Sequence, residues 1–145
     1  MRMLLDTHTL LWFALNDANL SVAAQSHLMN PADDKLVSPA TYWEIAIKIA
    51  TNKYALTSPY EDFMNEAIHK NGFTILPIEL EHTARVAKLP IFKHHKDPFD
   101  RLIVAQALTK ASPFSALMPN WMRMESRGCG KITYCESVNK RQDKS

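Results

Sequence analysis

An α/β sandwich around a small parallel sheet is the fold class this sequence predicts, on three observations. Short apolar runs, Met1 to Leu5, Lys35 to Val37 and Phe73 to Ile78, recur between longer stretches whose apolar residues have helical spacing. Their order is strand, helices, strand, helix, helix, strand, helices, the alternation of a parallel sheet covered by helices. The first run ends in an acid, Asp6, where a buried parallel strand reaches the sheet edge that carries ligand sites.

Taken in order, Met1 to Asp6 is the first strand. Thr7 or Thr9 can cap a helix over Leu10 to Asn16, and Ser21 a second one running to Met29. Lys35 to Val37 forms a brief strand that leads into the helix beginning Ser38-Pro39, an N-cap followed by a proline suited to the first helical position. Trp43, Ile45, Ala46, Ile47 and Ile49 give this helix its apolar spacing, so its one acid, Glu44, sits among residues that read as core. A carboxylate there needs a partner: Lys48 one turn on, or a metal shared with other acids. The helix should stop near Asn52, which tolerates the left-handed conformation of a helix end.

Pro59 to Asn71 predicts a helix with Phe63, Ala67 and Ile68 inward, ended by Asn71-Gly72. Phe73 to Ile78 is the third strand and Glu81 to Ala87 a helix. A polar loop from Leu89 closes on Asp97 and Asp100, and the amphipathic run from Asp100 through Leu108 is the next helix.

A chain of 145 residues is one domain by length and can bury a core without a disulfide or metal staple. Cys129 and Cys135 lack a ligand-like set of histidines, which suits a reducing cytoplasm. Asp6 and His8 interrupt the apolar start, so it reads as a strand and helix rather than a signal peptide, and no run reaches membrane-spanning length. The formal charge of +2 is uneven: residues 1–111 hold 11 Lys/Arg against 12 Asp/Glu, residues 112–145 hold 6 against 3. The basic excess therefore belongs to the tail and says little about nucleic-acid binding by the body.

Asp6 at a strand end, Glu44 in a helix and Asp97 with Asp100 at a helix start can converge at one sheet edge. Carboxylates brought together raise one another's pKa unless a cation neutralises them, and oxygen-only ligands select Mg²⁺ or Mn²⁺. Such a site can activate water against a phosphodiester, with His94, His95, Lys96 and Arg101 gripping flanking phosphates. Each residue also has a plainer use: Asp6 or Asp100 as a helix cap, Asp97 before Pro98 as a turn residue, Glu44 paired with Lys48, the His/Lys run as a solvated loop.

Three segments make the acids recognisable. Met-Leu-Leu-Asp-Thr-His-Thr-Leu-Leu-Trp at 3–12, Val-Ser-Pro-Ala-Thr-Tyr-Trp-Glu-Ile-Ala-Ile-Lys at 37–48 and His-Lys-Asp-Pro-Phe-Asp-Arg-Leu-Ile-Val-Ala-Gln-Ala at 95–107 resemble the PIN-domain family, and within it the VapC-type toxins of toxin–antitoxin pairs. The resemblance covers residues 1 to about 108. It implies a three-layer sandwich with a small parallel sheet, a cytoplasmic Mg²⁺-dependent (or Mn²⁺-dependent) endoribonuclease, an RNA substrate, a cognate antitoxin and a homodimer. By position, Asp6, Glu44 and Asp100 match the family's metal-site acids. Asp97 belongs to the subgroup's Asp-Pro-Phe-Asp-Arg motif, Thr7 fits a role in the metal's water shell, and Lys48, His95, Lys96 and Arg101 fit substrate binding.

From Thr109 the chain departs from that pattern. Relatives continue with a strand resembling Glu-Gly-Leu-Thr-Leu-Leu-Ser-Ala-Asp, whose last residue is a fourth site acid. Here stands Thr109-Lys110-Ala111-Ser112-Pro113-Phe114-Ser115-Ala116-Leu117-Met118. One permitted coding, ACG AAG GCC TCA CCC TTC TCA GCG CTG ATG, read one base earlier in each codon, encodes that missing strand. Constrained codons agree further on: Met118-Pro119 must yield Ala, Asn120-Trp121 Leu, Trp121-Met122 Asp and Met124-Glu125 Gly. The expectation is a PIN domain over 1–108 and an out-of-frame tail over 109–145, with the C-terminal strands altered or missing. The alternative is a divergent C-terminus. Loss of the strand would leave the first strand unpaired unless the tail substitutes, with Lys131 to Cys135 as a candidate. Two other functions stay open: an inactive remnant that binds only an antitoxin or itself, and a phosphatase with Asp6 as nucleophile, which the missing second Asp of Asp-Thr-His-Thr disfavours.

Overall fold

The computed structural model describes residues 2–91, 97–109 and, for their backbone, 114–116. Four strands, β1 (Arg2–Leu5), β2 (Asp34–Val37), β3 (Thr74–Ile75) and β4 (Phe114–Ala116), form an all-parallel sheet in the order β3-β2-β1-β4. The chain builds outward from β1 through β2 to β3 and then returns to lay β4 on the opposite side of β1. That reversal puts the topological switch point at the carboxyl ends of β1 and β4, the place where open α/β sheets bind ligands.

Successive residues of each strand face opposite layers. Leu5 and Val37 point into a core with Leu10 and Leu11 of α1 (Thr7–Ala14), Ala24 and Leu28 of α2 (Val22–Met29), Ile45 of α3 (Pro39–Ala50) and Met64 of α4 (Tyr60–Met64). Leu4 and Leu36 point the other way, onto Ala40 and onto Ile103 and Ala107 of α6 (Pro98–Thr109). Helix α5 (Leu80–Lys88) packs along α6. The α/β architecture is thus the expected one, with helices on both faces.

Local chemistry sets the helix starts. The Asp6 side chain accepts a bond from the Thr9 N–H at 2.8 Å, so α1 begins at Thr7, three residues before the expected Leu10. Ser21 caps α2 and Ser38 caps α3, with Pro39 in its first turn, as the sequence indicates. Asp97 Oδ1 accepts from the Phe99 and Asp100 N–H groups at 2.9 and 3.1 Å, so α6 starts at Pro98 rather than Asp100. Asn52 has φ +56° after α3. Helix α4 continues as a π-helical segment over Asn65–Lys70, and Gly72 at φ +69° turns the chain back into β3.

Two strand expectations change. β3 covers Thr74–Ile75 instead of Phe73 to Ile78: Leu76 donates once more to the Val37 carbonyl at 2.9 Å, and Pro77, with no N–H, cannot extend the ladder. The place beside β1 is taken by Phe114–Ala116, in register Arg2↔Phe114, Met3↔Ser115, Leu4↔Ala116. A strand from the atypical segment therefore covers β1, and Lys131 to Cys135 lies outside the described residues.

Arg101 ties α6 to α5. Its guanidinium donates to the carbonyls of Pro90 (2.8 Å), Leu89 (2.9 Å) and Val86 (3.3 Å), satisfying the carbonyl end of α5. Replacing Arg101 by Ala should lower the unfolding free energy by about 2 kcal/mol in urea titration, since the charge-assisted bonds that hold the end of α5 to α6 are lost.

Candidate active site

Strand β1 ends on Asp6, β2 leads into α3 with Glu44 in its second turn, and α6 carries Asp100 in its first turn. A parallel sheet with antiparallel-running helices places all three at the carboxyl edge, beside the β1/β4 switch point.

Glu44 is turned inward. The buried residues of α3 are Ala40, Thr41, Glu44 and Ile45, whereas Trp43 and Ile47, expected among the core residues, are 59% and 39% exposed. Both Glu44 carboxylate oxygens have partners. Oε2 accepts from the buried Thr7 hydroxyl, and Oε1 pairs with Lys48 Nζ at 2.5 Å. Lys48 lies 5.3 Å from the centre of the Tyr54 ring. Burial alone would lower the Lys48 pKa, but Glu44 and Tyr54 outweigh it and hold it above its usual value. The Thr41 hydroxyl reaches back to the Leu5 carbonyl at 3.4 Å, tying α3 to the end of β1.

Asp6 and Asp100 are less well compensated. Burial pushes the Asp6 carboxyl up; its bonds to Thr9 and the nearby His8 oppose this, and Glu44 adds to it. Asp100 is pushed up to about 6, first by burial and then by the charges of Asp97, Glu44 and Asp6, with Lys48 pulling it back. The four acids and Lys48 thus share one electrostatic neighbourhood. Among the described residues, no group of three or more His, Cys, Asp or Glu side chains is drawn tightly enough to enclose an ion. The donor set still fits a hard divalent cation in kind: oxygen ligands only, with repulsion the protein leaves unrelieved at Asp6 and Asp100.

The remaining sequence candidates separate. Asp97 is exposed and spends Oδ1 on the α6 cap. Arg101, expected to grip phosphate, has its guanidinium on three carbonyls of the α5 end; a planar fork engaged there is not an open anion site, so this reading is corrected. His94, His95 and Lys96 lie outside the described residues. Tyr54 under Lys48 was not read from the sequence, and only its position shortly after α3 hints at it.

The PIN domain family model matches residues 3–114, spanning both ends of this acidic edge. The chain belongs to the PIN-domain family. Comparison with curated proteins finds no match. PIN domains are generally nucleases acting on RNA and often serve as toxins of toxin–antitoxin pairs, typically using divalent metals. In this PIN domain the match reaches Phe114, the first residue of β4. No described helix is long and apolar enough to cross a membrane.

The sign of the Asp100 shift sets a pH dependence. Its folded pKa lies above the unfolded value of 3.8, so the native state holds the extra proton between about pH 4 and 6. That contribution stabilises at low pH and is lost as pH rises through about 6. Asp100→Asn should remove this decline and raise stability at pH 7 by roughly 2 kcal/mol in metal-free buffer, the full shift being discounted for solvent screening of a half-buried group, read as the difference between the two proteins' denaturation curves from pH 4 to 8.

Proposed function

We propose that this PIN domain is a VapC-type, divalent-metal-dependent endoribonuclease, the toxin of a toxin–antitoxin pair. The observation that supports this best is the Asp100 carboxyl, raised to about 6 among Asp6, Glu44 and Asp97 at the sheet's carboxyl edge. Uncompensated acids at this sheet edge cost stability, a cost that makes sense where a cation completes the site.

Asp6, Asp100 and Glu44 would hold Mg²⁺ or Mn²⁺, with Asp97 a further candidate. When bound, the ion supplies Lewis-acid activation of water and charge neutralisation at the phosphodiester. The Thr9 N–H fixes Asp6 at the sheet edge, and Thr7 and Lys48 hold the Glu44 carboxyl in place inside the protein. Lys48, paired with Glu44 Oε1, is also proposed to meet the substrate, and an ion held by Glu44 would share that carboxylate with the ammonium. His95 and Lys96 are proposed to meet phosphates flanking the cleaved bond. A cognate antitoxin, a homodimeric state and a cytoplasmic setting belong to the same reading.

Metal-dependent cleavage of RNA by the full chain tests it, with Asp6→Asn as control because Asn preserves the helix cap. Cleavage should need Mg²⁺ or Mn²⁺ and fall at least about 100-fold in that variant. Mg²⁺ at pH 7 should also raise the melting temperature of the wild type but not of Asp100→Asn. For RNA bound by the Asp6→Asn protein, adding Lys96→Ala should lower the slope of log affinity against log salt by about 0.7.

An inactive remnant is the second reading, favoured by the family match stopping at residue 114 and by the absence there of the fourth acid expected by resemblance. It predicts no cleavage with any divalent ion. We also propose that residues 109–145 are read out of frame. Gene codons there that cannot encode the family strand in the shifted frame would refute this.

A further inference from the structure

The exposed face of α3 beside the acids carries a feature the nuclease reading does not use. Trp43 is 59% exposed, and its ring meets Phe99 edge-to-face with centroids 5.2 Å apart. Phe99 belongs to α6, so the aromatic pair bridges the two helices whose next residues are Glu44 and Asp100. Packing on Phe99 holds the indole in place while leaving more than half its surface open.

RNA at this edge faces a physical difficulty. The acids repel its phosphates, and Lys48 and Arg101 are engaged, Lys48 with Glu44 and Tyr54, Arg101 with the α5 carbonyls. A group that binds nucleotides without relying on charge adds affinity there that the acids do not oppose. A held, exposed indole is such a group, because every base offers a π face to stack upon.

We propose that Trp43 stacks a base of single-stranded RNA next to the bond positioned over Asp6 and Asp100, an inference that rests on the nuclease reading above. Ile47, one turn further on and also exposed, extends the same platform.

The test uses the full-length Asp6→Asn protein and a fluorescein-labelled single-stranded oligoribonucleotide of mixed sequence, followed by anisotropy. Adding Trp43→Ala should weaken binding about 5- to 100-fold with the salt slope unchanged, and Trp43→Phe should restore most of the loss. An abasic residue stepped along the oligonucleotide should cost affinity at one position in the parent protein and nothing at that position in the Trp43→Ala variant, a pattern that general loss of structure cannot produce. Equal binding by parent and Trp43→Ala overturns the inference, as does a shift from dimer to monomer with that substitution, which would assign the indole to a second copy of the chain. If the wild type cleaves RNA but neither cleavage nor binding depends on Trp43, this inference alone fails. Trp43-dependent binding without metal-dependent cleavage defeats the nuclease reading and leaves the stacking role standing. A parent protein that binds no RNA defeats both.

Discussion

Repulsion among acids gathered at one end of the sheet is the constraint around which the rest is arranged. Glu44 can be buried because Thr7 and Lys48 take its two oxygens, and Lys48 is steadied by the Tyr54 ring. Asp6 is tolerated because it also caps α1, which converts part of its desolvation penalty into a helix-starting bond. Asp100 has the least help, and its raised pKa records the strain that remains. The first strand and helices α1 and α3 are thereby locked together through their polar ends as well as their apolar faces.

Much of this arrangement could be read from sequence because it is local. Ser21, Ser38 and Asn52 act within a few residues of themselves, so the ends of α2 and α3 were legible from residue type and position. The acids at the strand and helix starts were legible for the same reason. What failed was orientation. Trp43, Ile45, Ala46, Ile47 and Ile49 surround the helix rather than marking one side, so spacing could not say which face the sheet would cover, and the sheet covered the face with the acid. Contacts between distant segments were equally silent: nothing near Arg101 announces that its partners are carbonyls on another helix, and nothing in Phe114–Ala116 marks it as the strand beside β1.

The position of β4 bears on how an atypical C-terminal segment is compatible with a PIN sheet. Parallel pairing is made by backbone groups, so a segment whose side chains depart from the family can still supply the ladder. A carboxylate at the strand's end has no backbone substitute. An intact sheet edge is therefore no guarantee of a full set of acids.

The pairing of Lys48 with Glu44 has a consequence for the newly made polypeptide. An ammonium already seated against the buried carboxylate answers that charge from within the chain, so the burial of Glu44 needs no external cation.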